Sequence, residues 1–218
     1  MPKTSSNTIV KNGMPFIGKV LEQVEPYMEE MIIHLSVKSN DGTKDALEEM
    51  AKKYPKIKLF EENVSSPAQL TEIRNKQVEM TKSDWILFLD DDDYWPKDQL
   101  ELCLKELDKD PKVLSYSVNP YQLVDWEHED ISWAGKKYFA KFLRREGLRY
   151  IYPWPRDLPA DKHGRPVYWK THPQAKTLPY KFYHLALIKG HSFRSEGWAG
   201  KFAYPSARLV ALKEPLKI

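Results

Sequence analysis

Four consecutive aspartates at residues 90–93 have the clearest chemical potential in this 218-residue chain. They directly follow the apolar run at residues 85–89, which has the character of a strand buried on both faces. Four adjacent carboxylates repel one another unless a cation compensates them, and Mg²⁺ and Mn²⁺ prefer such oxygen ligands. A solvated acidic turn would account for Asp93 alone, through the dipole of a helix beginning at Pro96. The run therefore predicts a divalent-metal site.

A second polar segment, Asn-Asp-Gly-Thr-Lys-Asp at residues 40–45, also lies between a predicted strand and a predicted helix. Asn-Asp-Gly is favourable turn sequence and Asp45 suits a helix start, so a purely structural interpretation is open too. A carboxylate here is also able to accept hydrogen bonds from a nucleobase or a ribose. Both segments follow strands of one predicted sheet. We therefore expect them to face one crevice at its carboxyl edge, one holding a nucleoside and the other a metal-bridged diphosphate.

Short apolar strands alternate with amphipathic helices over residues 8–118, and this alternation has to position both segments. Ser66 and Pro67 have the characters of an N-cap and a first helical residue. Alternation of this kind is typical of an α/β fold with a mostly parallel sheet flanked by helices. After residue 118 the pattern weakens. The expected elements there are a helix over 136–145, a loop over 153–179 and a strand over 183–188.

Charge is divided unevenly along the chain. Residues 1–109 carry 15 Lys+Arg against 21 Asp+Glu, whereas residues 110–218 carry 19 against 10 and most of the aromatic residues. A basic, aromatic region suits an anionic partner or a stacking surface, and it equally suits an irregular, solvated region.

Composition and missing motifs exclude several classes of protein. With 41% hydrophobic and 30% charged residues, the chain is neither disordered nor an integral membrane protein. The single cysteine, Cys103, allows no intrachain disulfide, and the N-terminus lacks a secretory signal, so a cytoplasmic location is expected. The glycine signatures of dinucleotide-binding, P-loop and α/β-hydrolase enzymes are absent from the sequence.

Taken together, the motifs have a familiar order. Val10-Lys11-Asn12 ends the first strand, residues 40–45 follow, then Arg74-Asn75, and then Asp90-Asp91-Asp92-Asp93 after the buried strand. This order resembles the family 2 glycosyltransferases of the GT-A (Rossmann-like) fold. Their usual pattern is a strand ending in Asn, Asp-Asp-Gly-Ser-x-Asp, Ala-Arg-Asn and Phe-Leu-Asp-x-Asp-Asp. The resemblance covers about residues 8–100.

The resemblance implies a role for each matching residue. Asp92 would bind Mn²⁺ or Mg²⁺, and a nucleotide-sugar donor would occupy the crevice, a UDP-sugar being the commonest donor in the family. Asp41 matches the aspartate that reads the nucleobase, with Asn40 replacing an aspartate beside it. The other residues expected to contact or surround the donor are Val10, Asn12, Arg74, Asp90 and Asp91. GT-A enzymes often add a late histidine to the metal, and His184 is the candidate, ahead of His191 and His172.

An acceptor hydroxyl has to attack the sugar, and in inverting members an Asp or Glu acts as the base. The candidates for the base are Asp130, then Asp157 and Glu196. An irregular, aromatic-rich acceptor region is expected over residues 119–218, beside a donor half over 1–118 within one GT-A domain. The acceptor would be a glycan or DNA carrying a hydroxylated base. Two other functions stay open: a nucleotidyltransferase that makes a nucleotide-sugar, and a non-catalytic nucleic-acid-binding protein.

Overall fold

The computed structural model describes residues 1–64, 66–123, 126–130, 138–152, 158–168, 170–185 and 209–211. Its helices are α1 (Ile17–Val24), α2 (Thr43–Lys53), α3 (Pro67–Met80) and α4 (Lys97–Glu106), with a 3₁₀ turn at Glu25–Tyr27. Its strands are β1 (Thr4–Val10), β2 (Glu30–Ser36), β3 (Ile57–Glu62), β4 (Trp85–Phe88), β5 (Asp93–Tyr94), β6 (Ser115–Gln122), β7 (His128–Asp130), β8 (Phe139–Arg144), β9 (Arg149–Ile151), β10 (Leu158–Ala160), β11 (Ala175–His184) and β12 (Leu209–Ala211).

Eight of these strands form one mixed sheet in the spatial order β3-β2-β1-β4-β8-β6-β11-β5. The pairs β1–β2, β1–β4, β2–β3 and β6–β11 are parallel, and each βαβ connection carries a helix onto a face of the sheet. The pairs around β8 and the short β5 are antiparallel. The expected α/β architecture, a mostly parallel sheet flanked by helices, is confirmed.

Local sequence explains where the helices begin and what they bury. Ser66 caps α3: its Oγ accepts a hydrogen bond from the Gln69 amide, and the Gln69 side chain accepts one from the Ser66 amide. Helix α1 turns Ile17, Val20 and Leu21 into the core, as their spacing predicts. Both helices therefore agree with the sequence-based expectation.

The region after residue 118 departs from expectation in two ways. The helix expected over 136–145 is wrong: residues 139–144 form β8, which lies between β4 and β6 and pairs antiparallel with both. Pairing on both edges and burial of Phe142 and Leu143 outweigh the helical propensity of the flanking Lys, Arg and Glu residues. The last long strand, β11, begins within the segment expected to be a loop.

A stack of aromatic rings fixes the position of the chain after the four aspartates. Trp95 is fully buried. Its ring centre lies 4.9 Å from that of Phe182 in β11 and 5.5 Å from that of Phe142 in β8. Its backbone amide donates a hydrogen bond to Gln23 Oε1 at 3.0 Å. Aromatic pairs at these separations contribute to stability beyond the area they bury. Among the described residues, no helix is long and apolar enough to cross a membrane.

Candidate functional site

The loops after β1 and β2 lie side by side, because parallel neighbours end at the same edge of a sheet. β1 ends at the buried Val10, and Asn12 then adopts a left-handed conformation with a φ of 55°. Asn12 Oδ1 accepts the Asn40 amide at 2.9 Å, and the Asn12 amide donates to Ser39 Oγ at 3.1 Å. Asparagine tolerates this backbone conformation better than most residues. We call this pair of loops, residues 10–14 and 39–43, the donor loops.

Asp41 joins the two donor loops through its carboxylate. Oδ2 accepts the Met14 amide at 3.0 Å, while Oδ1 accepts the Thr43 amide at 3.1 Å and the Thr43 hydroxyl. Thr43 Oγ1 in turn accepts the Gly13 amide at 2.7 Å. Burial opposes ionisation of Asp41, but these hydrogen bonds outweigh it and lower the pKa of the carboxyl. Asp41 is therefore ionised and fixed at neutral pH.

The four aspartates form a tight turn, the acidic turn, between β4 and β5. The Asp93 amide donates to the Asp90 carbonyl at 3.2 Å, and the Asp90 amide donates to Asp93 Oδ2 at 3.0 Å. β5 then pairs antiparallel with the end of β11, with Asp93 opposite His184. This pairing brings together two residues that are 91 positions apart in the sequence.

Asp92, Asp93 and His184 converge in a way that suits a metal ion. Each offers one ligand atom, and the three atoms lie within 4.8 Å of one another. His184 Nδ1 is 3.2 Å from Asp93 Oδ1 and 3.5 Å from Asp92 Oδ1. Burial disfavours the imidazolium, but the charge of Asp92 and the hydrogen bond to Asp93 outweigh it and raise the pKa of His184. The structure thus brings together the two predicted metal ligands, Asp92 and His184, and adds Asp93.

Lys141 in β8 is a site residue that the sequence did not predict. Its ammonium donates to Asp90 Oδ2 at 2.9 Å and to Asp93 Oδ2. The lysine was missed because its segment was expected to be helical. The aromatic and apolar residues around it, from Tyr138 to Leu143, favour a strand and were the available signal.

Arg74 and Asp91 connect the acidic turn to the rest of the crevice. Arg74 lies on α3, with Nη2 3.7 Å from Asp90 Oδ1 and the guanidinium 3.9 Å from the ring centre of Phe88. Asp91 lies beside the donor loops, since a Cβ added at Gly13 would come within 3.2 Å of Asp91 Oδ2. The donor loops and the acidic turn therefore lie against each other at Gly13 and Asp91, and we call them the two walls of the candidate site.

Of the candidates for the base, only Asp130 lies within the described residues. Asp130 is the last residue of β7, whose partner strand is β12. Asp157 and Glu196 lie outside the described residues, as does His191. His172 instead contacts Asp161, with His172 Nε2 and Asp161 Oδ2 3.4 Å apart.

Comparisons with known proteins place the chain in a family. The family model described as "Glycosyl transferase family 2" matches residues 15–162. The putative teichuronic acid biosynthesis glycosyltransferase TuaG of Bacillus subtilis (strain 168) is 35% identical over 89 residues, which cover 41% of this chain and 34% of TuaG. The chain thus spans about a third of the length of that curated relative.

The chain is also similar to two solved structures. The crystal structure of S. aureus TarS 1–349 has a TM-score of 0.56 and 14% identity, covering 84% of this chain and 60% of that one. The mannosyltransferase PcManGT from Pyrobaculum calidifontis, solved with GDP-Man and Mn²⁺, has a TM-score of 0.45 and 23% identity, covering 56% and 36%. The sheet is thus that of the GT-A fold. Since the family model also matches more than half of its residues, the chain belongs to glycosyl transferase family 2.

Proposed function

We propose that this chain is a metal-dependent glycosyltransferase that moves a sugar from a nucleotide-diphosphate sugar to an acceptor hydroxyl. The observation that carries the proposal is the convergence of Asp92, Asp93 and His184 within 4.8 Å at the carboxyl edge of the sheet. Ligands of open α/β sheets bind at this edge. Membership of family 2 favours this function over a nucleotidyltransferase or a non-catalytic binding protein.

The residues present fit a divalent metal. Two carboxylates and an imidazole would hold the ion, and this mixed oxygen and nitrogen set favours Mn²⁺ over Mg²⁺, which prefers oxygen ligands alone. A bound ion would supply a Lewis acid that neutralises the departing diphosphate. Asp92 and His184 are therefore the proposed metal ligands, with Asp93 as the third.

The donor loops and Arg74 would hold the nucleotide. Both oxygens of Asp41 already accept hydrogen bonds, so the carboxylate is held in a fixed orientation. Oδ2, which accepts one hydrogen bond, keeps acceptor capacity for an N–H of the base. Val10, Asn12 and Asn40 would line the base and ribose, while Asp90 and Asp91 would lie by the ribose and the diphosphate. A UDP-sugar is the proposed donor.

The acceptor half, residues 119–218 of a single domain, would bring the acceptor to the donor half. A glycan is the proposed acceptor, and the comparisons give no support to DNA. Trp126 is 38% exposed and offers a ring face of the kind that stacks on sugars. For an inverting reaction the proposed base is Asp130, followed by Asp157 and Glu196. Transfer assays of the three single Asn or Gln variants identify which carboxylate is required.

The test is nucleotide binding followed by thermal unfolding. UDP, GDP, CDP, ADP and dTDP are each added with Mn²⁺, with Mg²⁺ and with EDTA. A nucleotide at 100 times its dissociation constant stabilises the fold by about 2.7 kcal/mol, which raises the melting temperature measurably. We expect the shift with UDP and Mn²⁺, and we expect Asp92→Asn to abolish it.

The matched control for this test is Asp98→Asn, which removes an exposed carboxylate in the first turn of α4. It should keep the full nucleotide shift. A wild-type protein that is folded yet shows no shift with any nucleotide and metal would contradict the proposed function. If the shift persists in Asp92→Asn, Asp92 is not a ligand of the metal and the proposed metal site is wrong.

A further inference from the structure

Lys141 is buried beside the proposed metal site, in contact with one of its ligands. It is 1% exposed, and its ammonium donates to one oxygen of Asp90 and one oxygen of Asp93, itself fully buried. An uncompensated buried charge is strongly unfavourable, so a fully buried lysine and a fully buried aspartate require each other. Asp90 additionally faces Arg74 at 3.7 Å, which places this carboxylate between two cations.

Aromatic rings complete the surroundings of this ammonium. Nζ lies 5.1 Å from the ring centre of Phe88, 5.8 Å from that of Phe139 and 5.0 Å from that of Phe182. Ring faces at such distances attract a cation electrostatically. Burial opposes the charge of Lys141, but Asp90 and Asp93 outweigh it and raise the pKa of the ammonium. Two carboxylates and three ring faces thus stabilise an ammonium inside the site.

Asp93 is shared between this internal cation and the proposed metal position. Its Oδ2 accepts the Lys141 ammonium and the Asp90 amide, while its Oδ1 faces His184 Nδ1 at 3.2 Å. A divalent ion held by Asp92, Asp93 and His184 would use the same carboxylate as Lys141. Two cations on one carboxylate repel each other and divide its negative charge.

We propose that Lys141 is an internal counter-ion that weakens metal binding in the free protein and makes tight metal binding depend on the donor diphosphate. The inference rests on the proposed metal-dependent function. In the absence of donor, Lys141 already balances part of the charge of the acidic turn, so the turn has little need of a metal. A bound nucleoside diphosphate adds negative charge at the metal position, which offsets the charge of the buried Lys141, and the site then holds the ion firmly. Lys141 would be a positioning residue that sets the order and synergy of binding.

The test measures Mn²⁺ affinity directly, by titration calorimetry and by the paramagnetic resonance signal of free Mn²⁺, with and without UDP. Lys141→Met keeps the apolar stem and removes the charge, and Lys141→Arg keeps the charge. For the wild type and Lys141→Arg we expect weak Mn²⁺ binding alone and an enhancement of about tenfold or more with UDP. For Lys141→Met we expect binding of Mn²⁺ alone to be about tenfold tighter, with most of the enhancement lost.

Each outcome separates this inference from the proposed function. If the wild type binds Mn²⁺ with UDP but folded Lys141→Met binds Mn²⁺ alone no more tightly, the counter-ion role is overturned and the proposed function stands. If no variant binds Mn²⁺ even with UDP, both are overturned. Should Lys141→Met fail to fold, Lys141→Gln supplies the same comparison, because it keeps a hydrogen-bond donor without the charge.

Discussion

The donor loops and the acidic turn lie next to each other at the same edge of the sheet but are assembled differently. The donor loops join residues 28 positions apart, such as Asn12 and Asn40, in loops that follow adjacent parallel strands. The acidic turn is joined to Lys141 and His184, which are 48 and 91 positions away from Asp93. One wall follows from a local βαβ repeat, whereas the other requires strands from distant parts of the chain.

The two walls also differ in how charge is compensated. The Asp41 carboxylate accepts hydrogen bonds from neutral amide and hydroxyl groups of the donor loops and is half-buried. Asp93 is fully buried and contacts two ionisable side chains, Lys141 and His184. Local dipoles are thus enough for a carboxylate near water, while a deeply buried one requires a cation supplied by the tertiary fold.

Removing Asp93 should give the largest loss of stability. In Asp93→Ala the buried ammonium of Lys141 loses one of its two carboxylates, and breaking a buried ion pair on one side costs about 3–5 kcal/mol. Urea unfolding in EDTA measures the free energy of unfolding without contributions from metal. The matched variant on the other wall is Asp41→Ala, for which a loss of about 1 kcal/mol is expected because Asp41 accepts hydrogen bonds only from neutral groups. Equal losses in the two variants would refute the contrast between the walls.

A substitution at Gly13, where the two walls are in contact, should cause an intermediate loss of stability. A Cβ added at Gly13 would lie 2.7 Å from Val10 Cγ2, 3.0 Å from Ile17 Cβ and 3.2 Å from Asp91 Oδ2. We therefore expect Gly13→Ala to destabilise by about 1–3 kcal/mol through overpacking. It should also weaken UDP binding, because the loops are displaced.

The control for this prediction is Gly18→Ala in α1, where the added Cβ would meet only Met50 Sδ, at 3.9 Å. Replacing a helical glycine with alanine stabilises by up to about 1 kcal/mol, so the two substitutions should have opposite signs. Chemical unfolding and calorimetric UDP titration of both variants measure this. Gly13→Ala with wild-type stability and affinity would mean that the two walls are not in contact there.

The smallest loss of stability is expected for a substitution outside both walls, at Asp161, which follows β10. Its carboxylate accepts the amides of His163 and Arg165, each at 2.9 Å, and Arg165 Nε at 2.8 Å. Burial opposes ionisation, but these hydrogen bonds and that of His172 outweigh it and hold the pKa of Asp161 well below its usual range. A depressed folded-state pKa contributes stability above the unfolded pKa of about 3.9, and this contribution is lost as the pH falls through the lower, folded value.

Asp161→Asn should therefore lower the melting temperature at neutral pH, and the difference from wild type should shrink below about pH 4. Mn²⁺ and UDP binding should be unchanged, because the substitution lies outside the donor loops and the acidic turn. Melting temperatures measured from pH 7 to pH 3 test the first part and calorimetry the second. A difference that stays constant down to pH 3 would show that the ionised carboxylate is not what stabilises this region.

Much of the front of the chain was predictable because its signals are local. The Ser66–Pro67 helix start, the buried strand before Asp90 and the turn at Asn40 and Asp41 each depend on a few adjacent residues. The expected helix over 136–145 was wrong because the conformation of this segment depends on its pairing with β4 on one edge and β6 on the other. Secondary-structure propensity depends on the residues of the segment itself and does not reflect the strands with which it pairs.

The sequence by itself determined the alternation of strands and helices over residues 8–118, apart from the short β5, and the family resemblance, and it supplied the residues proposed to hold the donor. It did so because propensity, capping and hydrophobic periodicity act within a few residues. Only the tertiary structure decided that Lys141 lies between Asp90 and Asp93, and that Asp93 joins Asp92 and His184. The physical reason is that a buried charge is compensated by whichever group the strand order brings next to it, and strand order depends on pairing between distant segments.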